Sequence, residues 1–155
     1  MHFGDHGETK DFQGNIIPKN SKLIDCLGEF DELIAHLGIV RLICSENKDT
    51  IFLIQKQLTS YASVLANFPT TNHYFTSQQL DQEIDYLNQS IPYSNQFYIP
   101  GDREIPTFIN IARTVARRTE RSINRLDTPP QEILQFINRL SSYLFVLQMY
   151  YHHKK

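Results

Sequence analysis

The sequence predicts an all-α protein: an antiparallel five-helix bundle, related to four-helix, ferritin-like bundles, with an irregular N-terminal arm. Glycine is absent from residues 39–100 and 102–155, so long stretches lack the residue that most easily interrupts a helix. Apolar residues in these stretches recur three and four positions apart, which is the spacing of one helical face. No segment shows the alternation and turn residues of a β-hairpin, so we expect no strands.

Length, composition and charge indicate one globular domain covering residues 1–155. The 155 residues are 41% hydrophobic and 21% charged, which excludes disorder by composition. A net charge of -2 argues against broad binding of nucleic acid. No apolar run approaches the roughly 20 residues that span a bilayer. We therefore expect a soluble, cytoplasmic protein with neither nucleic acid nor a membrane as partner, and with Cys26 and Cys44 as buried thiols.

The apolar stripes place the first three helices. The first stripe covers residues 23–40, and the second covers 51–68 after a polar turn. Thr76 followed by Gln79 is a capping-box pattern, which predicts the start of a third, shorter helix.

The remaining two helices follow the second cluster of prolines. A stripe over residues 105–126 predicts the fourth helix. Pro129 and Pro130 suit the first turn of a fifth helix, whose apolar face runs over residues 133–151. Residues 1–22 precede all five helices and form the predicted arm.

The arm contains two glycines, Gly4 and Gly7, with Lys19 downstream. Glycines at this spacing let backbone amides turn inward, as in a nest that binds a phosphate oxygen. A flexible terminus containing two glycines is the alternative interpretation.

A row of arginines borders the apolar stripe of the fourth helix. Arg113, Arg117, Arg121 and Arg125 are four residues apart, and Arg118 lies beside them. A solvated face would more often mix lysine and glutamate at this spacing. The row indicates polyanion binding or salt bridges between subunits, while a solvated charged face remains the alternative.

The loop from Phe97 to Asp102 carries an aromatic pair stiffened by a proline. Such a loop covers a planar ligand or plugs the end of the bundle, and the residues alone leave both open. No serine-nucleophile, zinc-protease or Walker-type motif is present.

Several short motifs occur in a fixed order along the chain. They are Gly4-Asp5-x-Gly7-x-Thr9, Gly28-x-x-Asp31-Glu32-Leu33, Phe97-x-x-Pro100-Gly101, Ala112-Arg113-Thr114-Val115-x-Arg117-Arg118-x-Glu120-Arg121 and Asn138-Arg139-Leu140-Ser141. In this order the chain resembles the propanediol-utilisation type of ATP:cob(I)alamin adenosyltransferase over nearly its whole length.

The resemblance implies a homotrimer with active sites at the subunit interfaces. The implied reaction transfers the 5′-deoxyadenosyl group of ATP, with Mg²⁺, to the cobalt of cob(I)alamin and releases triphosphate. Cob(I)alamin is the substrate, so no metal site of the protein itself is expected. A cobalamin-dependent enzyme would receive the product.

The resemblance also implies roles for individual residues. Arg117 and Phe97 are the implied catalytic residues, with Phe97 displacing the lower axial ligand of cobalamin. Asp31 and Arg113 are the implied intersubunit salt bridge. The implied ATP-binding residues are Gly4, Asp5, Gly7, Thr9 and Lys19 on the arm, and Arg117, Glu120 and Asn138 on the bundle.

The chain departs from the family pattern at several positions. Most of these changes remove a phosphate-facing donor or a polar partner, so a second hypothesis is a catalytically weakened relative that binds ATP or corrinoid as a carrier, sensor or companion subunit. A third hypothesis is an interaction module whose arginines contact another protein or RNA. The departing positions are Met1, His6, Leu23, Ile34, Asp102, Asn110, Ser142 and Met149.

Overall fold

Five α-helices and one short β-hairpin form the described part of the chain. The computed structural model describes residues 4–70, 72–92 and 98–154. This architecture confirms the predicted all-α bundle. The elements are β1 (Glu8–Lys10), β2 (Ile16–Pro18), α1 (Lys22–Ile43), α2 (Lys48–Leu65), α3 (Ser77–Asn88), α4 (Glu104–Asn124) and α5 (Gln131–His153).

All five helices contribute to the core, with α3 adding the buried side chains of Leu80 and Leu87. Helix α1 lies against α2 and α4, while α5 lies against α4 and α3. The Tyr61 ring on α2 meets the Phe136 ring on α5 edge-on, with centroids 5.3 Å apart, which closes the core between these two helices. No described helix is both long and apolar enough to cross a membrane.

The helix ends follow local chemistry, with small shifts from the predicted bounds. Thr76 and Gln79 form the predicted capping box at the start of α3. Helix α2 ends at Leu65 rather than near Phe68, because Asn67 adopts a positive φ of 60°. Pro129 and Pro130 were expected in the first turn of α5, but Pro130 is the N-cap and the helix begins at Gln131.

The expectation of no strands was wrong within the arm. Strands β1 and β2 pair antiparallel, with Thr9 opposite Ile17. Between them, Gly14 supplies a positive φ of 85°, and the Asp11 carboxylate accepts a hydrogen bond of 2.8 Å from the Asn15 amide. Each strand has only three residues, so alternation along the sequence is too short to reveal it.

Cys26 and Cys44 are both fully buried free thiols, as predicted. Burial raises the pKa of Cys26 to about 11 and that of Cys44 to about 12. Both therefore stay protonated at neutral pH and act as small apolar side chains.

Replacing Phe136 by alanine is expected to lower the free energy of unfolding by about 3–5 kcal/mol, because its fully buried ring leaves a cavity. Phe145→Ala on the same helix is the matched control, since that ring is 48% exposed and its loss should cost about 0.5 kcal/mol or less. Urea titration at one protein concentration measures both. Equal losses for the two variants would contradict the core assignment.

Candidate functional site

Arg118 is the neutralised member of the arginine row. Its Nε donates to Glu29 Oε2 at 2.6 Å, and its guanidinium also pairs with Glu32. Its hydrogen bond lowers the pKa of the Glu32 carboxyl below the usual range. Arg118 therefore fastens α4 to α1 and serves the fold rather than a ligand.

Arg113 is half-buried and oriented by a neighbour on its own helix. Its Nε donates to Asn110 Oδ1 at 3.0 Å. Desolvation by burial, together with the charge of Arg117, lowers the pKa of Arg113. Asn110 thus orients the Arg113 side chain without neutralising its charge.

The other arginines of the row lack a compensating carboxylate. Arg117, Arg121 and Arg125 are exposed, and Arg121 donates to the backbone oxygen of Arg117 at 3.0 Å. Within the described ranges, neither these three nor Arg113 forms an ion pair. Successive unpaired cations on one helix create a positive stripe that suits a polyanionic ligand.

Glu120 and Asn138 lie on the neighbouring helices α4 and α5. Glu120 is half-buried and Asn138 is exposed. The backbone oxygen of Asn138 accepts hydrogen bonds from the Ser141 and Ser142 hydroxyls at 3.0 Å and 3.3 Å. The hydroxyl of Ser142, one of the departing positions, therefore points back to its own helix.

The arm brings three of its predicted site residues together. The Lys19 amide donates to Gly7 O at 2.8 Å, and Lys19 Nζ donates to Gly4 O at 2.7 Å. Gly7 has a φ of 81°, a conformation that favours glycine. Thr9 is half-buried in β1, and Asp5 is exposed on the turn before it. The arm is thus a folded hairpin, which disfavours the flexible-terminus alternative.

Lys22, the neighbour of Leu23, has a partner of its own. Its Nζ lies 2.6 Å from Asp127 Oδ1, just beyond the end of α4. The ammonium group beside the departing position Leu23 is thus engaged in an exposed ion pair.

The predicted ATP-binding residues lie on separate elements of the structure, the arm on one side and helices α4 and α5 on the other. Lys19, which holds Gly4 and Gly7 of the arm, forms no hydrogen bond or ion pair with Arg117, Glu120 or Asn138 among the described residues. Asp31 is exposed and does not pair with Arg113. The residues of the predicted ATP site therefore fall into two groups, one on the arm and one on α4 and α5.

Phe97 lies outside the described residues, but the chain that follows it is fixed. The Tyr98 ring packs edge-on against His152, with centroids 4.8 Å apart. The Arg103 guanidinium donates to the backbone oxygens of His152 and Lys154 at 2.7 Å and 2.6 Å, capping α5. A cavity of about 490 Å³ lies here, lined partly by Arg103 and Tyr151.

Sequence reasoning missed Arg103 and the contacts that hold the arm against α2. Arg103 could not be assigned because its acceptors are backbone oxygens at the far end of the chain. One feature of the sequence could have indicated the arm contacts: Phe12 is a large apolar residue within a polar segment.

These features define a class: a helical bundle with a cationic helix face and a glycine-containing arm. Residues 1–151 match the family described as cobalamin adenosyltransferase. The chain belongs to this family, which confirms the resemblance. It is 30% identical to the corrinoid adenosyltransferase PduO of Salmonella typhimurium, over 93% of this chain and 46% of that protein. It is also 30% identical to a cobalamin adenosyltransferase of Cupriavidus metallidurans, over 93% of this chain and 82% of that protein.

A solved structure shares the fold throughout. A variant PduO-type ATP:corrinoid adenosyltransferase from Lactobacillus reuteri, complexed with cobalamin and ATP, superposes with a TM-score of 0.86 at 28% identity. The match covers 97% of this chain and 89% of that one. The chain thus spans nearly all of this structure but less than half of the Salmonella protein.

Proposed function

We propose that this protein transfers the 5′-deoxyadenosyl group of ATP to the cobalt of cob(I)alamin. The observation that carries the proposal is the guanidinium of Arg117 on α4, which forms no ion pair among the described residues and stands at a position that the family resemblance assigns to ATP binding. Family membership and the solved relative complexed with cobalamin and ATP support it.

The proposed chemistry explains why the site is cationic and lacks a general base. The Co(I) electron pair forms the new cobalt–carbon bond at C5′, and the C5′–O bond breaks with its electrons leaving on triphosphate. Arg117 stabilises the charge on that leaving group, while Gly4, Gly7 and Lys19 of the arm hold its oxygens. Mg²⁺ enters with ATP as part of the substrate.

Glu120 and Asn138 complete the proposed nucleotide site on the bundle. Their side chains offer a carboxylate and an amide, the groups that bind ribose hydroxyls and polar base edges. Asp5 and Thr9 add polar side chains from the arm. On the corrinoid side, Phe97 is proposed to displace the lower axial ligand of cobalt, which leaves the cobalt four-coordinate and easier to reduce to Co(I).

We propose a homotrimer in which the arm of one subunit meets α4 and α5 of its neighbour. The placement of the predicted residues on two different elements, the arm hairpin and helices α4 and α5, supports this arrangement. Asp31 and Arg113 are the proposed salt bridge across that interface. We also propose that residues 1–155 act as one domain, in the cytoplasm, and that a cobalamin-dependent enzyme receives the product.

An anaerobic spectrophotometric assay with chemically reduced cob(I)alamin, Mg²⁺ and ATP tests the function directly. We expect the adenosylcobalamin spectrum to appear, and to be absent when ATP is omitted. A folded protein that binds ATP without forming this product would overturn the enzyme assignment in favour of a non-catalytic binding relative.

A further inference from the structure

The tip of the arm lies against the C-terminal end of α2. The Phe12 and Phe68 rings pack with centroids 4.7 Å apart and planes tilted by 57°. Beside them, Asn67 Nδ2 donates to Asp11 Oδ2 at 3.2 Å. We call these four residues, Asp11, Phe12, Asn67 and Phe68, the tip latch.

The α2 side of the tip latch is fixed by backbone hydrogen bonds. The Asn67 amide donates to Val64 O at 3.0 Å, and the Phe68 amide donates to Ser63 O at 2.8 Å. These bonds, with the positive φ of Asn67, terminate the helix. The ring of Phe68 and the amide of Asn67 are therefore held in place by the end of α2, independently of the arm.

The arm side of the tip latch is equally well defined. The Asp11 carboxylate accepts hydrogen bonds from the backbone and side-chain amides of Asn15, at 2.8 Å and 2.9 Å. The Asp11 amide in turn donates to Asn15 O at 3.1 Å. These bonds close the hairpin turn, so Phe12 is carried on a rigid loop rather than on a free chain.

The hairpin transmits the position of its tip to the proposed ATP-binding end. Thr9 pairs with Ile17 across the strands, and Lys19 holds both Gly4 and Gly7. Since β1 ends at Lys10, the tip follows it directly. Loss of the tip contacts would therefore allow the arm to change its orientation relative to the bundle.

Exposure indicates that these rings serve the arm rather than the core. Phe12 remains 66% exposed and Phe68 remains 44% exposed. Both lie outside the buried core cluster of the bundle. Their loss should therefore change arm docking much more than the stability of the helices.

We propose that the tip latch preorganises the arm for MgATP and so sets its affinity without contacting the nucleotide. This inference rests on the proposed function, because it takes the arm as an ATP-binding element. The apparent affinity scales with the fraction of molecules whose arm is docked, so weakening the tip latch weakens binding. Its members are positioning residues.

Calorimetric titration of the full-length protein with MgATP, without corrinoid, tests the proposal. Phe12→Ala should raise the dissociation constant about tenfold, because loss of the aromatic contact lowers the fraction of molecules whose arm is docked. Asn67→Gly removes the side-chain amide while keeping the left-handed backbone, and should act in the same direction. Phe12→Leu should restore most of the affinity. Tyr86→Ala, an exposed ring on α3, is the matched control.

Steady-state kinetics separate positioning from general damage. Phe12→Ala should raise the KM for ATP while kcat and the KM for cob(I)alamin stay near the wild-type values. Phe12→Ala combined with Phe68→Ala should be no worse than either alone, since both remove one contact. An unchanged dissociation constant in Phe12→Ala, or a wild-type protein without ATP affinity, would overturn the proposal. Tight ATP binding that depends on Phe12 but yields no adenosylcobalamin would overturn the proposed function and leave the tip latch standing.

Discussion

Arg117→Ala is expected to lower kcat/KM for adenosyl transfer by at least about 100-fold, the effect typical of removing one donor to developing negative charge. Arg117 is exposed and forms no ion pair within the described ranges, so the fold does not require its charge. The triphosphate leaving group, in contrast, requires this positive charge. Thermal unfolding of the variant should therefore match the wild type while activity falls. The anaerobic assay with saturating cob(I)alamin measures the loss.

Two matched variants make this result specific. Arg125→Ala removes an exposed arginine of the same row at the C-cap of α4, and should leave kcat/KM near the wild-type value. Arg117→Lys keeps the charge but loses the planar fork, and should fall between the two. Full activity in Arg117→Ala would remove the role proposed for this residue.

Local patterns along the chain were enough to predict the helices. Stripes of apolar residues and the capping box at Thr76 and Gln79 act over a few residues, so the sequence shows them directly. The end of α2 was less accurate because a single positive φ at Asn67 stopped a helix whose apolar spacing continued to Phe68. Helix termination here depends on one backbone conformation rather than on periodicity.

Long-range pairs explain what the sequence did not reveal. Asp11 and Asn67 are 56 residues apart, and Arg118 and Glu29 are 89 residues apart. No spacing rule connects such partners. The row of arginines was visible as a row, but its division into one neutralised member and four unpaired ones required the packing of α1 on α4. The arginine row of the candidate site was predictable, whereas the anchoring of the arm was not.

A charge swap between Asp31 and Arg113 is expected to control assembly. Asp31 is exposed beside a groove of about 370 Å³ that Leu27 and Ile34 help to line, and Arg113 is half-buried without a carboxylate partner in the described part of its own chain. A desolvated cation without a counter-ion is costly, so a neighbouring subunit that supplies Asp31 would relieve that cost. Asp31→Arg or Arg113→Asp alone should therefore weaken trimer formation by at least about 30-fold in the dissociation constant.

The double variant distinguishes a direct pair from general surface disruption. Asp31→Arg combined with Arg113→Asp recreates an opposite-charge pair with reversed polarity, so it should restore the trimer that each single variant loses. Asp85→Arg, on the exposed face of α3, changes the net charge as Asp31→Arg does and should leave assembly intact. Sedimentation velocity over a series of protein concentrations measures the distribution of species. Single variants that remain trimeric, or a double variant that stays dissociated, would contradict the proposed salt bridge between Asp31 and Arg113. Restoration by the double variant would require the two residues to meet across the interface, because the single chain keeps them unpaired.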